Sequence, residues 1–252
     1  MIQIFDSYRK IVDKLDEESQ QLTVEDYQST ECFILSLYRS MLDYALAMDS
    51  SFRSKDYILL PVSLRAMAEA YGNMESLCQI EGFGSSYELR GVWQRELDIK
   101  SFIKFMDANP DSLQHLRTMY EDEKSNLEKL SPFVAKQEKA GVKKVTGMGL
   151  FSTVESQEIF HTAYRMSNSF LHNDMYGIER RNWKMISGKK AVVSARDTLS
   201  DIVLSCLYYS VKILSNSFKE LEKVFDWAKY PKNLDSRIES FLVRMNAYAD
   251  IS

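Results

Sequence analysis

An all-α fold is what this sequence predicts, and three observations carry the prediction. Glycine and proline are scarce, nine and four in 252 residues, which disfavours a turn-rich β architecture. Apolar residues recur three and four positions apart along most of the chain, and no apolar/polar alternation lasts more than a few residues. The breaks between periodic stretches fall at helix-start and helix-stop signals. The expectation is one globular bundle of seven or eight helices over residues 1–252, without the sustained heptads of a long coiled coil.

The elements follow in order. Ile4, Phe5, Tyr8, Ile11, Val12 and Leu15 stand at helical spacing and predict a first helix to about Glu18. Thr23-Val-Glu-Asp26 resembles a capping box and is read as opening a second helix to about Asp49, with Asp49–Asp56 as a polar connection. Pro61 suits a helix start, and Leu64, Ala68, Tyr71, Met74 and Leu77 line one side of the helix Val62–Glu81, closed by Gly82 and Gly84. Tyr87–Asn109 continues helically and stops before Pro110. Asp111 starts a long charged helix that Pro132 is expected to kink or break. Gly141–Phe151, with three glycines and adjacent Lys143 and Lys144, is the clearest loop, and Ser152-Thr-Val-Glu155 is a capping box. Residues 174–190 lack helical periodicity and are read as an irregular insertion, either a loop or a short hairpin. The run from Leu199 to Leu221 is apolar on several sides, as the innermost helix of a bundle is, and Leu234–Met245 closes the chain.

Composition excludes several classes. The formal charge of −4 announces neither nucleic-acid nor membrane binding by the chain as a whole. No window approaches the ~20 apolar residues of a membrane span. The amino-terminal residues lack a signal-peptide pattern, and Cys32, Cys78 and Cys206 are an odd number with no C-x-x-C pair, so a reduced, cytoplasmic setting is expected. Three histidines, His115, His161 and His172, form no H-E-x-x-H and no repeated carboxylate–histidine pair, and no G-x-S-x-G elbow is present. No metal and no cofactor is expected.

What chemistry remains sits in Glu155–Asp174, read as one amphipathic helix. Arg165 and His172 are seven residues apart, nearly two full turns, so both leave the same face, with Asn168 and Ser169 between them. The opposite face is read as Ile159, Ala163, Met166 and Phe170, flanked by Phe160 and Tyr164. An always-charged, fork-shaped guanidinium beside an imidazole that titrates near neutrality suits an anionic substrate and a proton transfer. Local charge agrees: Lys136–Lys190 holds ten bases and five acids, whereas the whole chain is acidic. Lys143, Lys144, Arg180, Arg181 and Lys184 are the candidate contacts to an RNA backbone, with Tyr176 and Trp183 as stacking surfaces. Ordinary exposed loop charges would read the same way. Arg65 and Glu69 stand i, i+4 on their helix; either they form an intrahelical pair worth ~0.3–0.5 kcal/mol, or Glu69 reaches Arg165 or His172 and orients it.

The spacing Arg165-x6-His172 resembles the signature of the HEPN superfamily, all-α proteins in which four to six residues separate Arg from His on one helix. The pair Leu64-Arg65-Ala-Met-Ala-Glu69 and Tyr164-Arg165-Met-Ser-Asn-Ser-Phe-Leu-His172 also resembles a bacterial helical family of undefined function related to that group. The resemblance covers residues 30–220 as a HEPN-like core. It implies a metal-independent RNase of toxin–antitoxin, abortive-infection or CRISPR type, acting as a homodimer, with Tyr164, Arg65 and Glu69 in support. Catalytic members carry Asn, Asp or His directly after the arginine, where this chain has Met166; Asn168 is read as supplying the amide.

Three readings follow. In the first, Arg165 binds the scissile phosphate of RNA, His172 moves protons, and Asn168 and Ser169 assist, in bacterial defence or as a toxin with an antitoxin or defence partner protein. In the second, the same polar face binds a nucleotide, an anion or a partner protein without catalysis. In the third, the Arg/His pair only staples helices, and losing His172 would cost ~1–3 kcal/mol of stability.

Overall fold

The computed structural model describes residues 2–26, 29–108, 116–143, 157–171, 183–192, 202–225 and 230–249. Among them the architecture is all-α: eight helices and one two-stranded hairpin. The helices are α1 (Ile2–Gln20), α2 (Thr30–Ser54), α3 (Leu59–Gln79), α4 (Phe83–Ala108), α5 (Arg117–Lys139), α6 (Gln157–Leu171), α7 (Val203–Val224) and α8 (Leu234–Ala249). The strands are β1 (Trp183–Ile186) and β2 (Lys189–Val192). The chain divides into two compact units, residues 1–79 with 151–252, and residues 80–150.

The first unit is built around α7, which is touched by α1, α2, α3, α6 and α8. Cys206, Leu207, Val211, Ile213, Leu214, Phe218 and Leu221 on α7 are fully buried. The apolar spacing of α1 and α3 does what it predicts: Tyr8, Val12 and Leu15, and Leu64, Ala68, Tyr71 and Met74, all reach zero exposure. Tyr8 ties three helices together. Its hydroxyl donates to the Ala45 carbonyl at 3.2 Å and shares a hydrogen bond with Ser210 Oγ at 2.8 Å, so a polar atom is satisfied in the core. Its ring meets Phe52 edge-on at 6.2 Å.

Two boundaries of α2 differ from the sequence reading. Thr23 does not open the helix; Ser29 does, its Oγ accepting from the Cys32 N–H at 3.1 Å. Residues 19–22 are committed instead to closing α1. Leu22 is buried, and the Arg39 guanidinium donates to the carbonyls of Ser19 at 3.2 Å and Leu22 at 2.9 Å. At the other end, α2 runs through Asp49–Ser54. Asp49 is buried, held by Arg53 at 3.0 Å and by Arg9 of α1 at 3.4 Å. Ser50, Ser51 and Ser54 return their hydroxyls to carbonyls one turn back, so their polarity is satisfied within the helix.

In the second unit α4 packs on α5. Glu96, nearly buried, accepts from Ser131 at 2.6 Å and from Lys100 at 2.9 Å, and Arg95 pairs with Glu123 at 2.6 Å. Pro132 lies inside α5 without breaking it, contrary to a stop at that residue.

The stretch read as loop or hairpin contains a hairpin reaching Val192. Trp183 pairs with Val192 and Ile186 with Lys189, closed by Ser187-Gly188. Both turn residues have positive φ, 51° and 76°, as a two-residue type I′ connection demands. The capping box at 152–155 and the stretch 174–182 lie outside the described residues. Among those residues, no helix is long and apolar enough to cross a membrane.

Candidate functional site

Helix α6 positions the candidate site. Phe160 and Ala163 are fully buried, one helical turn apart, and α6 packs chiefly on α3 and also on α7. Burying a ring such as that of Phe160 is worth about 1.5–3 kcal/mol, enough to fix the rotation of a short helix. Ser167 completes the inward stripe at i+7, which its hydroxyl permits by donating to the Ala163 carbonyl at 2.7 Å. The buried face is thus Phe160/Ala163/Ser167. Ile159 and Met166, read as its centre, are half-buried at its edge.

That rotation decides where the polar residues stand. Arg165 is exposed, and among the described residues no ion pair or hydrogen bond engages its guanidinium. His161 and Thr162 are exposed on the same outer side. Asn168 is half-buried on the flank, its Oδ1 buried without a hydrogen-bond partner. The Ser169 side chain and all of His172 lie outside the described residues, as do Lys144, Arg180 and Arg181. Lys184 is exposed on β1, in the first unit; Lys143 is exposed in the second.

Tyr164 links α6 to α3. Its ring stacks on Phe160 at 5.5 Å and lies beneath the Arg65 guanidinium, 5.3 Å from the ring centre. Arg65 Nη2 also reaches the Tyr164 hydroxyl at 3.5 Å, and Arg65 Nε donates to Glu69 Oε1 at 3.0 Å. Partial burial works against the Arg65 charge, but the hydrogen bond to Glu69 and the Tyr164 contact hold its pKa above the ordinary value. The structure therefore brings Glu69, Arg65 and Tyr164 into one chain of contacts across α3 and α6. Glu69 makes its ion pair with Arg65, and none joins it to Arg165 among the described residues.

Asn73 was not among the candidates in the sequence. It continues the i, i+4 ridge Arg65–Glu69–Asn73 on α3, and its Oδ1 is buried without a partner, as is that of Asn168 on the helix packed against it. Extending the i+4 spacing by one step would have found it. Among the described residues no group of three or more His, Cys, Asp or Glu side chains could hold a metal ion. Set against protein-family models, curated proteins and solved structures, the chain finds no significant match in any of the three.

Proposed function

We propose that the chain is a HEPN-like, metal-independent endoribonuclease of bacterial defence or toxin type, working in the cytoplasm. The observation that supports this reading most is Arg165: an exposed guanidinium with no counter-charge among the described residues, on the outward side of a helix whose other side is locked into the core. An exposed cation in an acidic chain is a place for an anion to bind. His172 follows seven positions later, nearly two full helical turns on in sequence.

In this reading His172 takes the proton from a ribose 2′-OH, whose oxygen attacks phosphorus. The bond from phosphorus to the 5′ oxygen breaks, giving a 2′,3′-cyclic phosphate and a 5′-OH. Arg165 neutralises the charge that develops on the phosphoryl oxygens. One imidazole cannot be base and acid at once, so a second copy of the chain supplies the proton to the leaving oxygen, and the active form is a homodimer. Arg180, Arg181 and Lys184 hold the RNA backbone, and an antitoxin or defence partner protein restrains the activity.

The test is EDTA-treated protein incubated with bulk RNA. Cleavage is expected, and Arg165→Ala and His172→Ala are each expected to lower it by about a hundredfold or more without unfolding the protein. Undiminished cleavage by His172→Ala would end the nuclease reading. A second reading, a non-catalytic module binding a nucleotide, anion or partner through the same face, is favoured by Met166 after Arg165 and by the inward-turned Asn168 oxygen. Intact RNA with retained binding would select it.

A further inference from the structure

Where α1 meets α8 the first unit holds a cleft of about 540 Å³, on elements that carry none of the residues assigned above. Its floor is apolar, made by Ile11 and Phe241, both almost fully buried. Its walls carry three cations, Lys10 from α1 and Arg237 and Arg244 from α8. Three hydroxyls, Ser7, Ser236 and Ser240, stand between them. Among the described residues no carboxylate lines the cleft.

The charge balance here is unusual for a chain with 36 acids against 32 bases. Among the described residues Lys10, Arg237 and Arg244 enter no ion pair, although all three are exposed. The acids of the same helices are engaged elsewhere. Asp6 pairs with Arg53 at 3.4 Å, Asp13 with Arg9 at 2.6 Å, and Asp235 accepts from Tyr230 at 2.9 Å and pairs with Lys219 at 3.4 Å. Glu239 is two residues from Arg237, about 200° around α8 and so on its far side. Three like charges collected round one concavity repel each other, and that arrangement persists at least cost with an anion between them. Arg244 already donates from Nη1 to Ser7 Oγ at 3.3 Å, which ties the two walls together and leaves its other N–H groups for a ligand.

We propose that this cleft binds a small anion carrying two adjacent phosphoryl groups. Three cations call for at least two negative charges, and two guanidinium forks match the oxygens of phosphoryl groups; Ser7 and Ser236 already donate their hydroxyls to the Gln3 and Asn233 carbonyls, each at 2.8 Å, which leaves Ser240 as the hydroxyl donor. The volume falls within the roughly 300–1,000 Å³ of small-ligand sites, and the concave walls suit a compact molecule over an extended polymer. Ser236 and Arg237 stand in the first turn of α8, whose positive dipole end adds to the attraction.

Isothermal titration of the full chain with inorganic pyrophosphate tests this. One saturable site per chain is expected, retained in Arg165→Ala and weakened about tenfold or more in Arg237→Ala and in Lys10→Ala. Arg237→Glu should abolish the heat while far-UV circular dichroism stays unchanged. Absence of a saturable heat, or equal affinity in wild type, Arg237→Ala and Lys10→Ala, would overturn the assignment. So would a short single-stranded RNA whose binding is lost with Arg237→Ala while pyrophosphate gives no heat, since the cleft would then belong to nucleic acid.

Discussion

Tyr8 shows how one side chain sets a junction. Its hydroxyl is fully buried yet bonded twice, to Ala45 of α2 and Ser210 of α7. Removing it in Tyr8→Phe strands the Ser210 hydroxyl, so a loss of about 1–3 kcal/mol is expected in urea unfolding. Adding Ser210→Ala should recover part of that loss, because both polar partners are then gone; strictly additive losses would show that the pair is not coupled. Arg165 is the opposite case. Exposed and unbonded among the described residues, it contributes little to the fold, and Arg165→Ala should change stability by no more than about 0.5 kcal/mol. That contrast is what lets Arg165 be tested for function without confounding it with folding.

At the scale of elements, periodicity alone located most helices, and its failures are physical. The capping pattern at Thr23 was outcompeted because Arg39 and buried Leu22 already hold the end of α1. The polar run after Asp49 stayed helical because two arginines neutralise a buried carboxylate and the serines bond back to their own helix. On α6, a count of apolar letters favoured Ile159 and Met166, whereas a serine with a self-satisfied hydroxyl took the buried place. Of the candidate site, Arg165 stands on an outer face, as its position relative to Phe160 and Ala163 dictates. The Arg65–Tyr164 contact is a tertiary event with no local signal, since the two residues are 99 positions apart. Pro132 provides a test at this scale. It lacks the N–H that would close a bond to the preceding turn of α5. Pro132→Ala should therefore raise the melting temperature and the helical ellipticity; a lower melting temperature would mean that the proline ring is needed for packing on α4.

For the molecule as a whole, burial of acids that ionise at high pH sets the alkaline limit. Desolvation, reinforced by Glu220, pushes the Cys78 thiol from its ordinary 9.0 up to about 12, and burial raises Tyr8, Tyr38 and Cys206 as well. The native state therefore keeps protons that the unfolded chain releases. The stabilisation is complete below pH about 9 and is lost as pH rises toward about 12, so calorimetry should show a melting temperature that falls across that window, and less steeply in Cys78→Ala. The division into units has a further consequence. The first unit is assembled from both ends of the chain, with residues 80–150 lying between its parts. During translation α1, α2 and α3 leave the ribosome long before α7 exists to pack on them and to set Phe218 against Tyr38. At roughly 5–20 residues per second their greasy sides stay bare for on the order of ten seconds, which makes the nascent chain a client for chaperones until its final helices are synthesised.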